Sequence, residues 1–250
     1  MAENQQNSDE SFDPPPVANS VEETMGADPH ASVLQARELD EDAVLALLHQ
    51  PDLSAEVLEK LSKTSIAKNR KVRLAIIENP KTPRYVSVAL VRQLFTFDLM
   101  RVALMPTIPG DIKVAAEDVL IKKLESISSG ERLSLARRAS GRIAGMLLLD
   151  SDQRVMQAAL ENPRLTEAIV IKALLSASAS AGFVRTVTEH PKWSLRRDIR
   201  IALLRSEKTP VDAALEFSKM MPTAQVQEIL RNSRLPGIAK AAIVGELQKR

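Results

Sequence analysis

Cysteine is absent from the 250 residues, which removes disulfides, thiol catalysis and cysteine-ligated zinc or iron–sulfur centres. Histidine is scarce. His30, His49 and His190 stand in three separate segments, so no histidine metal site is expected. Aromatics number one Trp, one Tyr and five Phe, too few to line a series of base-stacking platforms. No segment approaches about 18 uninterrupted apolar residues and no apolar stretch follows Met1, so the expectation is a cytoplasmic chain without membrane insertion. Gly-x-Gly-x-x-Gly, the phosphate-binding lysine loop, His-Glu-x-x-His and Gly-x-Ser-x-Gly are all missing. The carboxylates of Glu117 and Asp118 are adjacent in sequence and diverge on a helix. No catalytic residue, no metal, no cofactor and no enzymatic activity are expected.

What the chain does have is a recurring pattern. Residues 71–99 read KVRLAIIENPKTPRYVSVALVRQLFTFDL, a helix, a proline-marked turn and a second helix. The run through Ala75, Ile76 and Ile77 stops at Asn79-Pro80, because proline lacks a donor and biases its predecessor away from helix. Thr82 is expected as an N-cap, with Pro83 at the first helical position. Val86, Leu90, Val91 and Leu94 then form a helical stripe. Related turns are His49-Gln50-Pro51-Asp52, Pro106-Thr107-Ile108-Pro109, Asn162-Pro163, His190-Pro191, Ser206-Glu207-Lys208-Thr209-Pro210 and Leu235-Pro236. Their spacings of 29, 26, 28 and 29 residues fit a stacked repeat array.

Two intervals depart from that period. Pro106 to Pro163 spans 57 residues, about two repeats, with a degenerate turn expected near Ser128–Glu131. Pro191 to Glu207 spans 16, which reads either as a truncated unit or as one long helix carrying the register.

The segments HQPDLSAEVL at 49–58 and NPKTP at 79–83 resemble the leucine-rich repeat variant family. That resemblance covers about residues 47–250, is strongest at 47–110 and 155–192, and fades over 115–150. It implies an all-α, right-handed helical-repeat solenoid of alternating short 3₁₀ and α helices, related in architecture to HEAT-type arrays. Longer patterns such as Asp111–Leu124 equally suit α/α repeats of about 26–29 residues. Some members of the family carry an iron–sulfur module on clustered cysteines, and that feature does not transfer to a cysteine-free chain. The repeat itself implies no reaction.

Three segments follow: a disordered acidic tail over 1–30, an N-terminal capping helix over 31–48 started by Ser32, and the solenoid over 49–250. Charge divides the same way. Residues 1–42 hold eleven acidic side chains and one basic, a net of −10, against +12 for residues 43–250. An acidic arm on a basic body would fold back on it or aid solubility.

The basic body has two dense clusters. One holds Arg132, Arg137, Arg138 and Arg142, the other Lys192, Trp193, Arg196, Arg197 and Arg200 with Arg205 nearby. Lys68, Arg70, Lys71, Arg73, Arg101 and Arg154 add a ladder along the repeats. Such cations either contact phosphates or an acidic partner, or lie across neighbouring repeats and pair with their carboxylates. Trp193 either anchors a partner or packs between repeats. Trp193 with Asp198 is the only pair suited to a base-excision pocket of the HEAT-like glycosylase sort. Gly141 and Gly145 would permit a close helix contact. The leading expectation is a non-enzymatic scaffold that binds a protein partner through its extended face. The alternative is a nucleic-acid-binding array that contacts phosphates through the two clusters, gated by the acidic tail. The sequence leaves the oligomeric state open.

Overall fold

The computed structural model describes residues 40–50 and 52–249, so the tail expected over 1–30 and the helix start expected at Ser32 lie outside it. Among the described residues the protein is all-helical. The first half holds α1 (Glu41–Leu48), α2 (Ala55–Ser62), the 3₁₀ helix η1 (Ser65–Lys68), α3 (Arg70–Glu78), α4 (Arg84–Val91), α5 (Thr96–Leu104) and α6 (Gly110–Lys123). There follow α7 (Ser129–Arg138), α8 (Gly141–Leu147), α9 (Gln153–Leu160), α10 (Glu167–Leu174) and α11 (Ala181–Glu189). The chain closes with α12 (Arg197–Arg205), α13 (Val211–Lys219), α14 (Thr223–Arg231) and α15 (Gly237–Leu247). Of the two repeat forms expected, the α/α form is found, with η1 as the single 3₁₀ element in the described residues.

Helices of eight or nine residues are marginal alone, so tertiary packing must hold them. Contacts run to the helix two along, α1 on α3, α2 on α4, α4 on α6, α6 on α8, α7 on α9, α8 on α10, α10 on α12, α12 on α14 and α13 on α15, and α2, α3, α5, α7, α8 and α12 also pack on their successors. The result is a helical-repeat array with two rows. Row A holds the odd-numbered helices and row B the even-numbered ones. Fully buried Leu58, Ile76, Leu99, Leu120, Leu135, Ile143 and Phe183 fill the space between them.

The turns show why the repeat recurs. Asn79 accepts the Lys81 N–H at 3.0 Å and donates its amide to the Leu48 carbonyl of the preceding unit at 3.1 Å. Asn162 accepts from the Arg164 N–H at 2.8 Å and donates to the Ala136 and Ala139 carbonyls at 2.7 and 3.2 Å. One side chain therefore closes the turn and satisfies carbonyls left open at the end of a helix. His190 closes its turn with a ring, Nδ1 accepting the Lys192 N–H at 3.1 Å, while Nε2 lies 3.0 Å from the Glu161 carboxylate and the Leu160 carbonyl is left to Trp193. The backbone donor at Nδ1 places the proton on Nε2. His49 differs, since its Nδ1 lies 2.6 Å from the Leu45 carbonyl of its own helix.

Two sequence expectations change. Thr82 does not cap α4. Pro83 holds the N-cap position with extended backbone, and the Thr82 hydroxyl donates instead to the Ile76 carbonyl. Thr209 repeats this by donating to Leu203, with Pro210 at the N-cap. Ser128–Glu131 is not a degenerate turn but the capping box that starts α7; the turn inside that unit is Ala139–Ser140. Glycines 141 and 145 do permit close contact: a Cβ on Gly141 would lie 2.3 Å from the Arg164 carbonyl oxygen, and one on Gly145 would lie 2.4 Å from Ile169 Cγ2.

The 16-residue interval is a truncated unit. After α11 the chain makes turns over 191–195 where other units form a second helix, then starts α12 at once. Residues 196–210, RRDIRIALLRSEKTP, match 69–83, NRKVRLAIIENPKTP, in both pattern and side-chain bonds. Arg73 donates to the Ala67 carbonyl and Arg200 to Ser194, each six residues back. Yet α3 lies in row A, whereas α12 packs on α10 in row B. Loss of one helix has exchanged the rows.

Candidate binding groove

Most of the cations singled out by the sequence are engaged within the protein. Arg132 is 2.8 Å from Asp150 and donates to the Ile127 carbonyl at 2.9 Å. Arg142 reaches from α8 to Asp118 at 2.7 Å and Glu117 at 3.4 Å on α6. Asp118 above all, with Glu117, raises the Arg142 guanidinium above its ordinary value. Arg197 donates to Gln225 on α14 at 3.1 Å, and Arg200 lies over the Phe217 ring at 5.8 Å. In the ladder, Arg70 pairs with Asp98, Lys71 with Glu41, Arg101 with Glu78 and Arg154 with Asp152. The three guanidinium nitrogens of Arg73 hold the Ala67, Gln93 and Lys68 carbonyls.

Trp193 is only 2% exposed. Its Nε1 donates to the Leu160 carbonyl at 2.9 Å and Lys192 Nζ sits 4.2 Å from its ring centre. It packs between repeats, so no face is left for a partner or a flipped base, and Asp198 beside it is solvent-exposed. Among the nine candidates, Arg137, Arg138 and Arg196 are exposed with no side-chain partner among the described residues. The two clusters do not converge on one basic surface.

A physical reason for the basic excess emerges. Many short helices present many open C-terminal carbonyls, and cations answer them. Lys123 donates to Leu94, Arg164 to Arg138, Lys208 to Ala179 and Lys240 to Ser233. Three of these four reach into the neighbouring unit.

The clusters do flank a groove. A cavity of about 840 Å³ opens across α7, α9 and α11 in row A. Leu133 and Arg137, one turn apart, form its α7 wall. Gln153, Gln157, Ala158 and Glu161 make the floor on α9, and Thr186, Glu189 and His190 the far wall. Beyond that wall a second cavity of about 420 Å³ lies between α11 and α13, and Glu189 lines both. Its α13 side carries Asp212 and Glu216. Arg185 pairs with Glu189 at 2.9 Å, and that carboxylate, with Asp212 further off, raises the guanidinium above its ordinary value. Asp212 and Glu216 form no ion pair among the described residues.

Sequence reasoning found Arg137 but missed Gln153, Gln157, Glu161, Glu189, Asp212 and Glu216. The spacing of Gln153 and Gln157 at i and i+4 marks one polar helix face, but only the stacking of α7, α9 and α11 makes that face a floor. Among the described residues, no group of three His, Asp or Glu could hold a metal ion, and no helix is long and apolar enough to cross a membrane. Comparison of the chain with protein-family models, with curated proteins and with solved structures finds no match to any of them.

Proposed function

We propose that this protein is a non-enzymatic scaffold of the cytoplasm, of the leucine-rich repeat variant type, that binds a protein partner in the row A groove across α7, α9 and α11. The single observation that carries this reading is the lining of the groove: a polar floor that includes Arg154 and Glu161, with Arg137 on one wall and Glu189 on the other, so that two cations balance two carboxylates. Carboxylates in the groove repel a phosphate backbone, whereas mixed donors and acceptors suit a polypeptide. The nucleic-acid alternative would need the basic clusters free and gathered, and most of their members hold carboxylates or carbonyls of the protein itself.

The test is capture of partners by the tagged full chain from lysate, with and without nuclease, beside an Ala158→Arg variant that fills the groove floor. Partners that survive nuclease and are lost with Ala158→Arg support the reading. A set that vanishes on nuclease treatment and ignores Ala158→Arg would overturn it in favour of phosphate binding.

A further inference from the structure

The two cavities meet at Glu189, and the course they make together across row A is not symmetric along its length. At the α7 end Arg137 has no side-chain partner among the described residues, while Arg154, the other cation of the lining, is held by Asp152 at 3.0 Å. In the middle, Gln153 and Gln157 offer carboxamides that both donate and accept, and neither takes a side-chain bond among the described residues. At the α13 end stand Asp212 and Glu216, with the Arg185–Glu189 pair between them and the floor. The open groups therefore run from cation through neutral amide to anion.

From this order we infer that the groove takes an extended segment of a partner polypeptide with opposite charges at its two ends: an acidic residue against Arg137 and a basic one against Asp212 and Glu216. The inference rests on the proposed protein-binding reading and adds the chemistry and direction of the partner. An extended segment fits better than a helix, because a helix in a groove is held by apolar anchors one turn apart, and here the apolar lining of the larger cavity is limited to Leu133, Ala158 and Pro191. Glutamine amides instead match the N–H and C=O groups that an extended backbone presents. The steps from α7 through α9 and α11 to α13 are roughly 10 Å each, so an extended chain needs about eight or nine residues between the two charges. Arg137 with a carboxylate is a bidentate pair, which sets direction as well as affinity.

The experiment uses a display library of random linear 12-residue peptides selected on the full chain. Four variants accompany it: Ala158→Arg, Arg137→Glu, the pair Asp212→Lys with Glu216→Lys, and these three charge reversals together. These side chains carry no ion pair among the described residues, and circular dichroism checks that helicity is unchanged. Peptides selected on the unaltered chain are expected to carry acidic residues toward one end and basic residues toward the other. Arg137→Glu or the α13 pair should each weaken them about tenfold or more. The triple variant should select peptides of inverted polarity. Enriched peptides that Ala158→Arg abolishes, yet with no charge polarity and no response to the reversals, would overturn this inference and leave the groove reading standing. No peptide enriched at all, or enrichment indifferent to Ala158→Arg, would overturn both.

Discussion

On one side of the truncated unit, the turns after α3 and α9 are closed by Asn79 and Asn162. On the other side, those after α12 and α14 are closed by Ser206 and Ser233. Asparagine does two jobs at once, with its oxygen on the turn and its amide on the previous unit. A single hydroxyl at Ser233 manages both, donating to Leu204 and accepting from the Leu235 N–H. At Ser206 the work is divided: the hydroxyl accepts the Lys208 N–H, and Lys208 Nζ crosses to the Ala179 carbonyl. The task of covering open helix ends is the constant, and the residue that performs it changes with the row in which the turn lies.

Removing the joint between the two regions should have the largest effect. Trp193→Ala deletes a buried ring and its bond to Leu160, with an expected cost of about 3–5 kcal/mol. Urea unfolding followed by circular dichroism should then split into two transitions, since an array is held by nearest-neighbour interfaces. One cooperative transition at lower urea would mean that the regions stay coupled without the ring.

The next test compares the two kinds of turn. Asn162→Ala leaves the Ala136 and Ala139 carbonyls and the Arg164 N–H without this partner, and should cost about 3 kcal/mol. Ser206→Ala removes one bond and should cost about 1 kcal/mol, because Lys208 keeps the crossing to Ala179. Equal losses in denaturant midpoint would erase the distinction drawn above.

Glycines sharpen it further. Gly145→Ala places a methyl group against Ile169 and should destabilise by about 1–3 kcal/mol, with part of the loss recovered in a Gly145→Ala, Ile169→Ala double variant. Gly245→Ala, in open space on α15, should stabilise by about 0.5–1 kcal/mol through helix propensity alone. Thermal melts of the three proteins decide both signs.

The smallest effect is a pH dependence confined to the first region. The Lys71 ammonium, then the Asn69 amide, hold the Glu41 carboxyl below its ordinary value. A folded-state value lower than the unfolded one gives stability that is fully present above the unfolded value and lost as pH falls through the folded one. Glu41→Gln should lower stability slightly at neutral pH and converge with the unaltered protein below the folded value, so that the acid limb of a stability-versus-pH curve flattens. A larger change at acid pH than at neutral pH would show the opposite.

Much of the fold could be read along the chain because its signals are local. Asn79-Pro80 and Asn162-Pro163 break helices wherever they occur, and the pattern expected over Asp111–Leu124 is met by α6 at Gly110–Lys123. The truncated unit was visible as one of two alternatives. Thr82 misled because a hydroxyl two residues before a helix has two acceptable partners, and the open carbonyl six residues back takes it, as also happens at Thr209. The groove could not be read in the same way. Whether Arg137 is free while Arg142 is bound depends on Glu117 and Asp118, more than 20 residues distant, facing one and not the other. Gln157 and Glu189 line one cavity only because their helices stack. Local chemistry writes the units, and non-local packing decides which of their side chains remain available.

The exchange of rows at residues 191–196 implies a rule of parity. Each helix sends the chain to the other row, so a gain or loss of two helices returns every downstream residue to the face it had before. A gain or loss of one sends all of them to the opposite face. Whole repeats can thus be added to or cut from such an array without disturbing what it displays. A half repeat turns the remainder inside out with respect to the groove, and α12 to α15 are the part of this protein that already lies beyond such a step.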